Sequence, residues 1–416
     1  MIRRVAITGL GLVSPHGREP GAVFDALMRG ESAIAEHSIG GFEASISKPF
    51  AVCSAFDPAA SLGRVRSNQL DRFSQFALTA ALGAWSDAGL EDLEKQVRDE
   101  VGVFWGTGTG GALSVERGYR DLLQHKRERV SPMSVVLAMN NAAASHVALT
   151  LKLGGPCLTY SVACASSAVA IGEAMRRIRS GEAQVAVAGG SEALLALGVV
   201  AAWDSMQVLA PGRVSGAPAA CRPFSADRDG LVLGEGAAAL VLEDLEHAQA
   251  RGAKIYAELV GYGASCDHSH PTRPDAAGQV RAMRACLRDA ALAPESVGYV
   301  NAHGTATAEG DPTEIHALVE VFGACAPELA VSATKSMHGH LMGAAGAIEA
   351  LITALAVGRA EIPPTAHLEQ IDATCTGVRH IQNRGVAAPG LRVALSSSFA
   401  FGGSNAVLAM RSIEDR

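Results

Sequence analysis

Along the chain, short runs of β-branched and aliphatic residues alternate with Ala-rich stretches whose apolar positions recur at helical spacing. Ten runs read as strands: RVAITGLG, VGVFWGTG, CLTYSVA, AQVAVAGG, AALVLEDL, IYAELVGYG, GYVNAHG, LAVSATKS, RVALSSSF and NAVLAM. Such alternation predicts an α/β protein. Between Ala165 and Ser180, Val169, Met175 and Ile178 mark an apolar side, Glu173, Arg176, Arg177 and Arg179 lie largely elsewhere, and Gly181 follows as a stop. This predicts a helix starting at Cys164.

A second segment echoes that helix. AVAIGEA at 168–174 and AAGAIEA at 344–350 each follow a short strand and a small-residue turn, which suggests an internal duplication with pseudo-twofold symmetry. The polar stretch EDLEHAQARGAK, 243–254, is the natural boundary, dividing the chain into halves 1–250 and 251–416.

Composition narrows the classes of function. The 416 residues are 48% hydrophobic but only 5% aromatic, which favours close-packed helices and strands over an aromatic-rich binding surface. A net charge of −7 argues against nucleic-acid binding. Uncharged apolar runs such as Ala193 to Trp203 fall short of the ~18 residues that span a bilayer, so no membrane span is expected. The N-terminus MIRRVAITGLGLVSPHG turns into a strand pattern without a small-residue cleavage site, and a cytoplasmic protein is expected. The eight cysteines lack CxxC spacing, against both a disulfide framework and a zinc site.

Cys164 stands apart because its neighbours in SVACASSAVA are small. A thiol at a helix N-terminus feels the positive end of the macrodipole, which lowers its pKa and frees the thiolate at neutral pH. Ala163 and Ala165 leave room for a substrate carbonyl, and the N–H of Cys164 is available to an oxyanion. A buried helix cysteine is the equal alternative on local sequence. Three downstream motifs carry what cysteine-dependent acyl transfer requires: NAHGTATAEGDPTE with His303, Thr305 and Thr307, SATKSMHGHLMGAAGAIEA with Lys335, His340 and Glu349, and SSSFAFGGSNAVLAM. His338 and His340 are only two apart with no carboxylate at ligand spacing, so no metal is expected.

Together, Cys164 in VACASS, His303 in NAHGTAT, Lys335 and His340 in TKSMHGHLMGAAGAIE, and Phe401 in SFAFGGSN resemble the elongating β-ketoacyl-acyl carrier protein synthases. RPFSADRDGLVLGEGAAALVLE (222–243) and the N-terminal RVAITGLGLVSPHG extend the resemblance over essentially the whole chain. It implies a thiolase-like fold, two duplicated α/β halves in a five-layer αβαβα arrangement, usually as a dimer. It also implies a decarboxylative Claisen condensation with malonyl-carrier protein. Cys164 would be the nucleophile, Cys164 and Phe401 N–H the oxyanion hole, and His303 and His340 donors to the malonyl thioester carbonyl. Lys335 would keep His340 neutral and Glu349 would balance its charge. Thr305 and Thr307 would bind the phosphopantetheine arm, and Thr109, Phe399, Ala400 and Phe401 would border the substrate. The enzyme needs no cofactor of its own beyond the carrier's phosphopantetheine. The implied partners are acyl- and malonyl-loaded carrier protein and either a second copy or a homologous chain-length partner.

Three positions depart from the family pattern: Ala400 where the gating loop ordinarily has Gly, Thr109 where a bulkier aliphatic residue often lines the acyl pocket, and Trp203. Trp203 reads as a core residue, with a pocket or interface position as the alternative. Ala400, Thr109 and Trp203 together lean the substrate towards a specialised polyketide or polyene chain. Arg66 and Arg129 are candidates for docking the acidic carrier, although Asn68 and Gln69 stand where the family is more basic. A coenzyme A thiolase would carry a second cysteine in FGGSN, a chain-length partner would lack the nucleophile, and an initiating synthase would pair Cys and His with Asn rather than with His340.

Overall fold

In the computed structural model, residues 2–212 and 216–413 are described. Strands β1 (Val5–Val13), β2 (Gly102–Gly106), β3 (Cys157–Tyr160), β4 (Val185–Glu192) and β5 (Gly236–Asp244) build the first half. The second half consists of β6 (Ala257–Cys266), β7 (Tyr299–Asn301), β8 (Ala330–Ser332), β9 (Val393–Phe399) and β10 (Ser404–Arg411). All ten predicted runs are these ten strands. Hydrogen bonding orders them β8-β7-β9-β10-β6-β1-β5-β4-β2-β3, with the short strand Arg379–His380 added beside β8. Read outward from the centre, each half repeats the other: two antiparallel pairings followed by two parallel ones. The halves join through three antiparallel pairs, Val5 with Leu259 to Ile7 with Ala257.

Helices α1 (Arg72–Asp87) and α2 (Ala142–Leu151) cover the outer face of the first half. Helices α5 (Ala276–Asp289) and α6 (Gly310–Phe322) cover the second, while α3 (Ser166–Arg179) and α7 (Ala345–Arg359) lie between the two halves of the sheet. Helix α4 (Leu197–Ser205) packs at the periphery. Three large hydrophobic clusters fill the three helical layers. This is the five-layer αβαβα arrangement.

The symmetry reaches single residues. A Cβ on Gly11 of β1 would sit 1.9 Å from the Ala80 carbonyl of α1, and one on Gly263 of β6 would sit 2.1 Å from the Ala282 carbonyl of α5. Each glycine lets a helix lie directly on its strand. The middle layer is equally close: a Cβ on Gly346 would meet the Ala168 nitrogen at 2.7 Å, and the Ala347 N–H donates to Ser167 Oγ at 2.8 Å.

Two sequence expectations shift. Helix α3 begins at Ser166, because Ala163 takes a left-handed φ of 48° and Ala163–Ala165 form a tight 3-10 turn that holds Cys164 ahead of the helix. Its counterpart, the turn Met342–Ala344 before α7, starts on Met342 at φ 46°. Cys164 therefore corresponds to Gly343 and Ser167 to Gly346, so the sequence echo was three residues out of register. A shift of nearly one turn leaves the small-residue face of an Ala-rich helix almost unchanged, which hides the error.

The segment Met342–Arg359 is long and apolar enough to cross a membrane by length and composition. It is the central core helix, buried from Ala345 to Val357, and a helix enclosed on all sides is apolar all round. Sequence reading also missed the hairpin Ala35–Gly41/Ala44–Phe50, whose turn puts Phe42 and Glu43 at positive φ, a conformation no Asn-Gly pair announces here.

Candidate active site

The two central turns meet at Cys164. Its Sγ lies 3.0 Å from His340 Nε2, and the rings of His303 and His340 are edge to face with centroids 5.3 Å apart. The sulphur and one nitrogen of each ring all lie within 4.8 Å of one another. The backbone N–H groups of Phe401 and of Cys164 itself are directed at the sulphur.

Each histidine is held by backbone and by a fixed partner at Nδ1. His340 is pinned against the strand-like segment Leu231–Gly234: its N–H donates to Val232 O at 2.7 Å and its carbonyl accepts from Gly234 N–H at 2.9 Å. The Met342 N–H donates to His340 Nδ1 at 3.2 Å. His303 follows β7, where Glu314 accepts the His303 and Gly304 N–H groups, both at 2.8 Å. Asp311, one turn earlier on α6, accepts those of Thr305 and Ala306 at 3.1 Å and of Phe224 at 2.7 Å.

Buried Lys335 has three ammonium protons and three acceptors: His303 Nδ1 at 3.3 Å, His303 O at 2.5 Å, and Glu349 Oε1. An ammonium only donates, so His303 Nδ1 is an acceptor, as His340 Nδ1 is towards Met342. Both rings therefore carry their proton on Nε2. They present N–H donors to the space beside the sulphur rather than the lone pairs a metal ion would need.

Burial governs the charges. It is the largest cause holding His303 and His340 well below the usual imidazole range, followed by the Lys335 charge. Burial also pushes the Glu349 carboxyl up, against the pull of Lys335. Glu314 and Asp311 are raised by burial to about 7 and about 6, and their backbone donors pull the other way. The Cys164 thiol is pushed up to about 12 by burial, which outweighs the lowering by Lys335 and by the two N–H groups. The expected lowering by the helix N-terminus is thus reversed: a desolvated sulphur in the closed site keeps its proton.

A cavity of about 440 Å³ leads to this centre. Cys164, His303, His340, Thr305, Thr307, Phe399, Ala400 and Phe401 all line it, whereas Lys335 and Glu349 lie buried behind the histidines. Thr305 and Thr307 share a hydroxyl hydrogen bond of 3.0 Å. Thr109 is not in this wall. Its hydroxyl donates at 2.6 Å to buried Glu192, which also accepts the Gly108, Thr109 and Gly343 N–H groups, so Thr109 does not shape this cavity. Trp203, read as core, is half-buried in the cavity wall and stacks on Phe401, with centroids 5.6 Å apart and planes 17° apart. Among the described residues, Cys164 is the only cysteine in the lining, and the FGGSN turn places Asn405 there.

Sequence reading passed over Asp311, Glu314 and Glu192. The first two stand three apart inside the motif that carries His303, which puts both on one face of α6 beneath the histidine loop. Glu192 had no such signal, because its donors come from two segments far from it in sequence, Thr107–Thr109 and Gly343.

The chain matches two family models, the beta-ketoacyl synthase N-terminal domain over residues 2–248 and the beta-ketoacyl synthase C-terminal domain over 256–369. It is 41% identical to 3-oxoacyl-[acyl-carrier-protein] synthase 2 of Coxiella burnetii (strain RSA 493 / Nine Mile phase I), covering 99% of both chains. Among solved structures, it matches the ishigamide ketosynthase/chain length factor with a TM-score of 0.91 and 33% identity, covering 99% of this chain and 100% of that one. A type II polyketide synthase acyl-carrier protein in complex with its ketosynthase, bound to the hexaketide, gives a TM-score of 0.87 at 29% identity, with 100% of both chains covered.

Proposed function

The chain belongs to the β-ketoacyl synthase family and is a condensing enzyme, a 3-oxoacyl-[acyl-carrier-protein] synthase of fatty-acid or polyketide synthesis; from that premise we propose how its residues carry the reaction. The observation that supports the assignment is the convergence of Cys164 Sγ, 3.0 Å from His340 Nε2, with two imidazoles held as Nε2–H donors.

Cys164 attacks the acyl thioester, and the N–H groups of Cys164 and Phe401 hold the oxyanion. The bond to the phosphopantetheine sulphur breaks, and the departing thiol carries the proton that Cys164 loses. Malonyl-carrier protein then enters, its arm lying along Thr305 and Thr307. The Nε2–H groups of His303 and His340 donate to the malonyl thioester carbonyl. As the C–CO₂ bond breaks, its electron pair becomes the enolate that they stabilise. The carbanion attacks the acyl-Cys164 carbonyl, the C–C bond forms and the C–S bond breaks. The released thiolate takes a proton from solvent, which the buried sulphur favours. As written, the reaction needs no metal or organic cofactor besides the carrier's phosphopantetheine.

Lys335 positions His303 and keeps both histidines neutral, and Glu349 offsets its charge. Phe399, Ala400 and Phe401 form the movable wall. Residues 1–250 and 251–416 act as the nucleophile-bearing and histidine-bearing halves. We place the enzyme in the cytoplasm, receiving acidic carrier proteins on exposed basic residues such as Arg66 and Arg129. Leu123 and Val135, 69% and 70% exposed, stand with Leu122, Met133, Val136 and Met139 on the segment between β2 and the open edge strand β3, a surface suited to a second copy or a homologous chain-length partner. A specialised polyketide substrate is supported by Ala400 and Trp203, whereas Thr109, outside the cavity, lends it nothing.

Intact-mass analysis after incubation with acyl-carrier proteins tests the assignment. Wild type gains the acyl mass, Cys164→Ala does not, and His303→Ala is still acylated but no longer decarboxylates malonyl-carrier protein. Equal acylation of wild type and Cys164→Ala would sink it.

A further inference from the structure

The stack of Trp203 on Phe401 joins the sulphur's oxyanion donor to an aromatic surface outside the catalytic set. The Phe401 N–H points at Cys164 Sγ while its ring lies flat against the indole. Both residues and Cys164 face the same cavity.

The two rings stand on different supports. Trp203 stands on α4, which is anchored by buried Leu197 and Val200 and tied to the hairpin by the Lys48–Asp204 ion pair at 2.7 Å. Phe401 stands on a loop whose next two residues, Gly402 and Gly403, have φ of 84° and 74°, and a Cβ on Gly402 would meet nothing within 4 Å. The indole thus stands on a packed helix and the phenyl ring on a glycine turn, whose Gly402 N–H donates to Pro271 O at 2.6 Å and Gly403 N–H to Ala400 O at 3.0 Å.

An acyl chain that reaches Cys164 past Phe401 displaces the ring from the indole, so the stack is lost unless the chain replaces it. A saturated chain has no π face to offer. A conjugated chain is planar and lies on the indole as the phenyl did. We propose that Trp203 is a specificity-determining residue that selects planar, conjugated acyl thioesters over saturated ones of equal length. This deepens the function proposed above and rests on its assignment of Cys164 as the acylated residue.

The test measures acylation rates by intact mass with two carrier-protein thioesters of equal carbon count, one saturated and one fully conjugated. Wild type is expected to take the conjugated chain about three- to tenfold faster, the size of one aromatic stack. Trp203→Leu should bring the ratio close to one, and Trp203→Phe should retain part of it. Trp85 and Trp105 are buried in the first-half outer layer, so acylation should change tryptophan emission in wild type and not in Trp203→Phe. A wild-type preference for the saturated chain, or a ratio that Trp203→Leu leaves unchanged, overturns the proposal. Failure of wild type to acquire either chain would instead overturn the assignment of Cys164.

Discussion

At the residue scale, one ammonium organises the catalytic centre. Lys335 spends its three protons on His303 Nδ1, the His303 carbonyl and Glu349, and thereby fixes a tautomer as well as a charge. Lys335→Met removes both. His303 is then free to carry its proton on Nδ1, which withdraws one donor from the malonyl carbonyl, and malonyl decarboxylation is expected to fall about a hundredfold. The pH profile separates this from a general loss. The histidine pKa values are lowered by burial and then by Lys335, so both rings are neutral in wild type at neutral pH. Without the Lys335 charge they rise part of the way back towards 6.5, and the acid limb of the decarboxylation profile moves up towards neutrality. An unmoved acid limb would show that Lys335 acts only through packing.

At the scale of elements, α3 and α7 set the distance between Cys164 and His340, since α3 continues from the turn that carries Cys164 and α7 from the turn that begins two residues after His340. Their close approach rests on small residues, Ser167 and Ala168 against Gly346 and Ala347. Gly346→Ala places a methyl group 2.7 Å from the Ala168 nitrogen, and Gly11→Ala places one 1.9 Å from the Ala80 carbonyl. Each is expected to cost roughly 1–3 kcal/mol of stability as overpacking. Only Gly346→Ala shifts the turns beneath Cys164 and His340, so it should slow acylation at a temperature where both variants remain folded. Equal acylation rates in the two variants would remove the helix pair from control of the site. This pairing was legible in the duplicated Ala/Gly pattern, but its register was not, because the left-handed residues Ala163 and Met342 that open both turns leave no mark in the sequence.

At the scale of the molecule, the β1–β6 joint makes the two halves one continuous sheet, whose first-half edge is β3. An unpaired edge beside exposed Leu123, Val135 and Leu158 calls for a covering surface. Sedimentation of wild type, alone or co-expressed with a homologous chain, should give a two-chain species. Leu123→Asp with Val135→Asp should reduce it to one chain. Wild type that sediments as a single chain under both conditions would contradict a dimer.

The residues that the fold gathers around Cys164 and the strands that lead to them were readable from sequence alone. Ten strand runs show their period directly, and Cys164, His303, Lys335, His340 and Phe401 each sit in a small-residue motif whose composition is unusual for a strand or helix end. These features are local, and local composition and periodicity record them. What depends on distance in space was decided only by the fold. Burial reversed the expected acidity of Cys164, and Thr109 turned to Glu192 instead of the cavity. Asp311 and Glu314 became the support of the His303 loop, and Trp203 came to face Phe401. Desolvation, the direction of a hydroxyl and the stacking of two rings nearly 200 positions apart are properties of the environment that the closed structure creates around each residue.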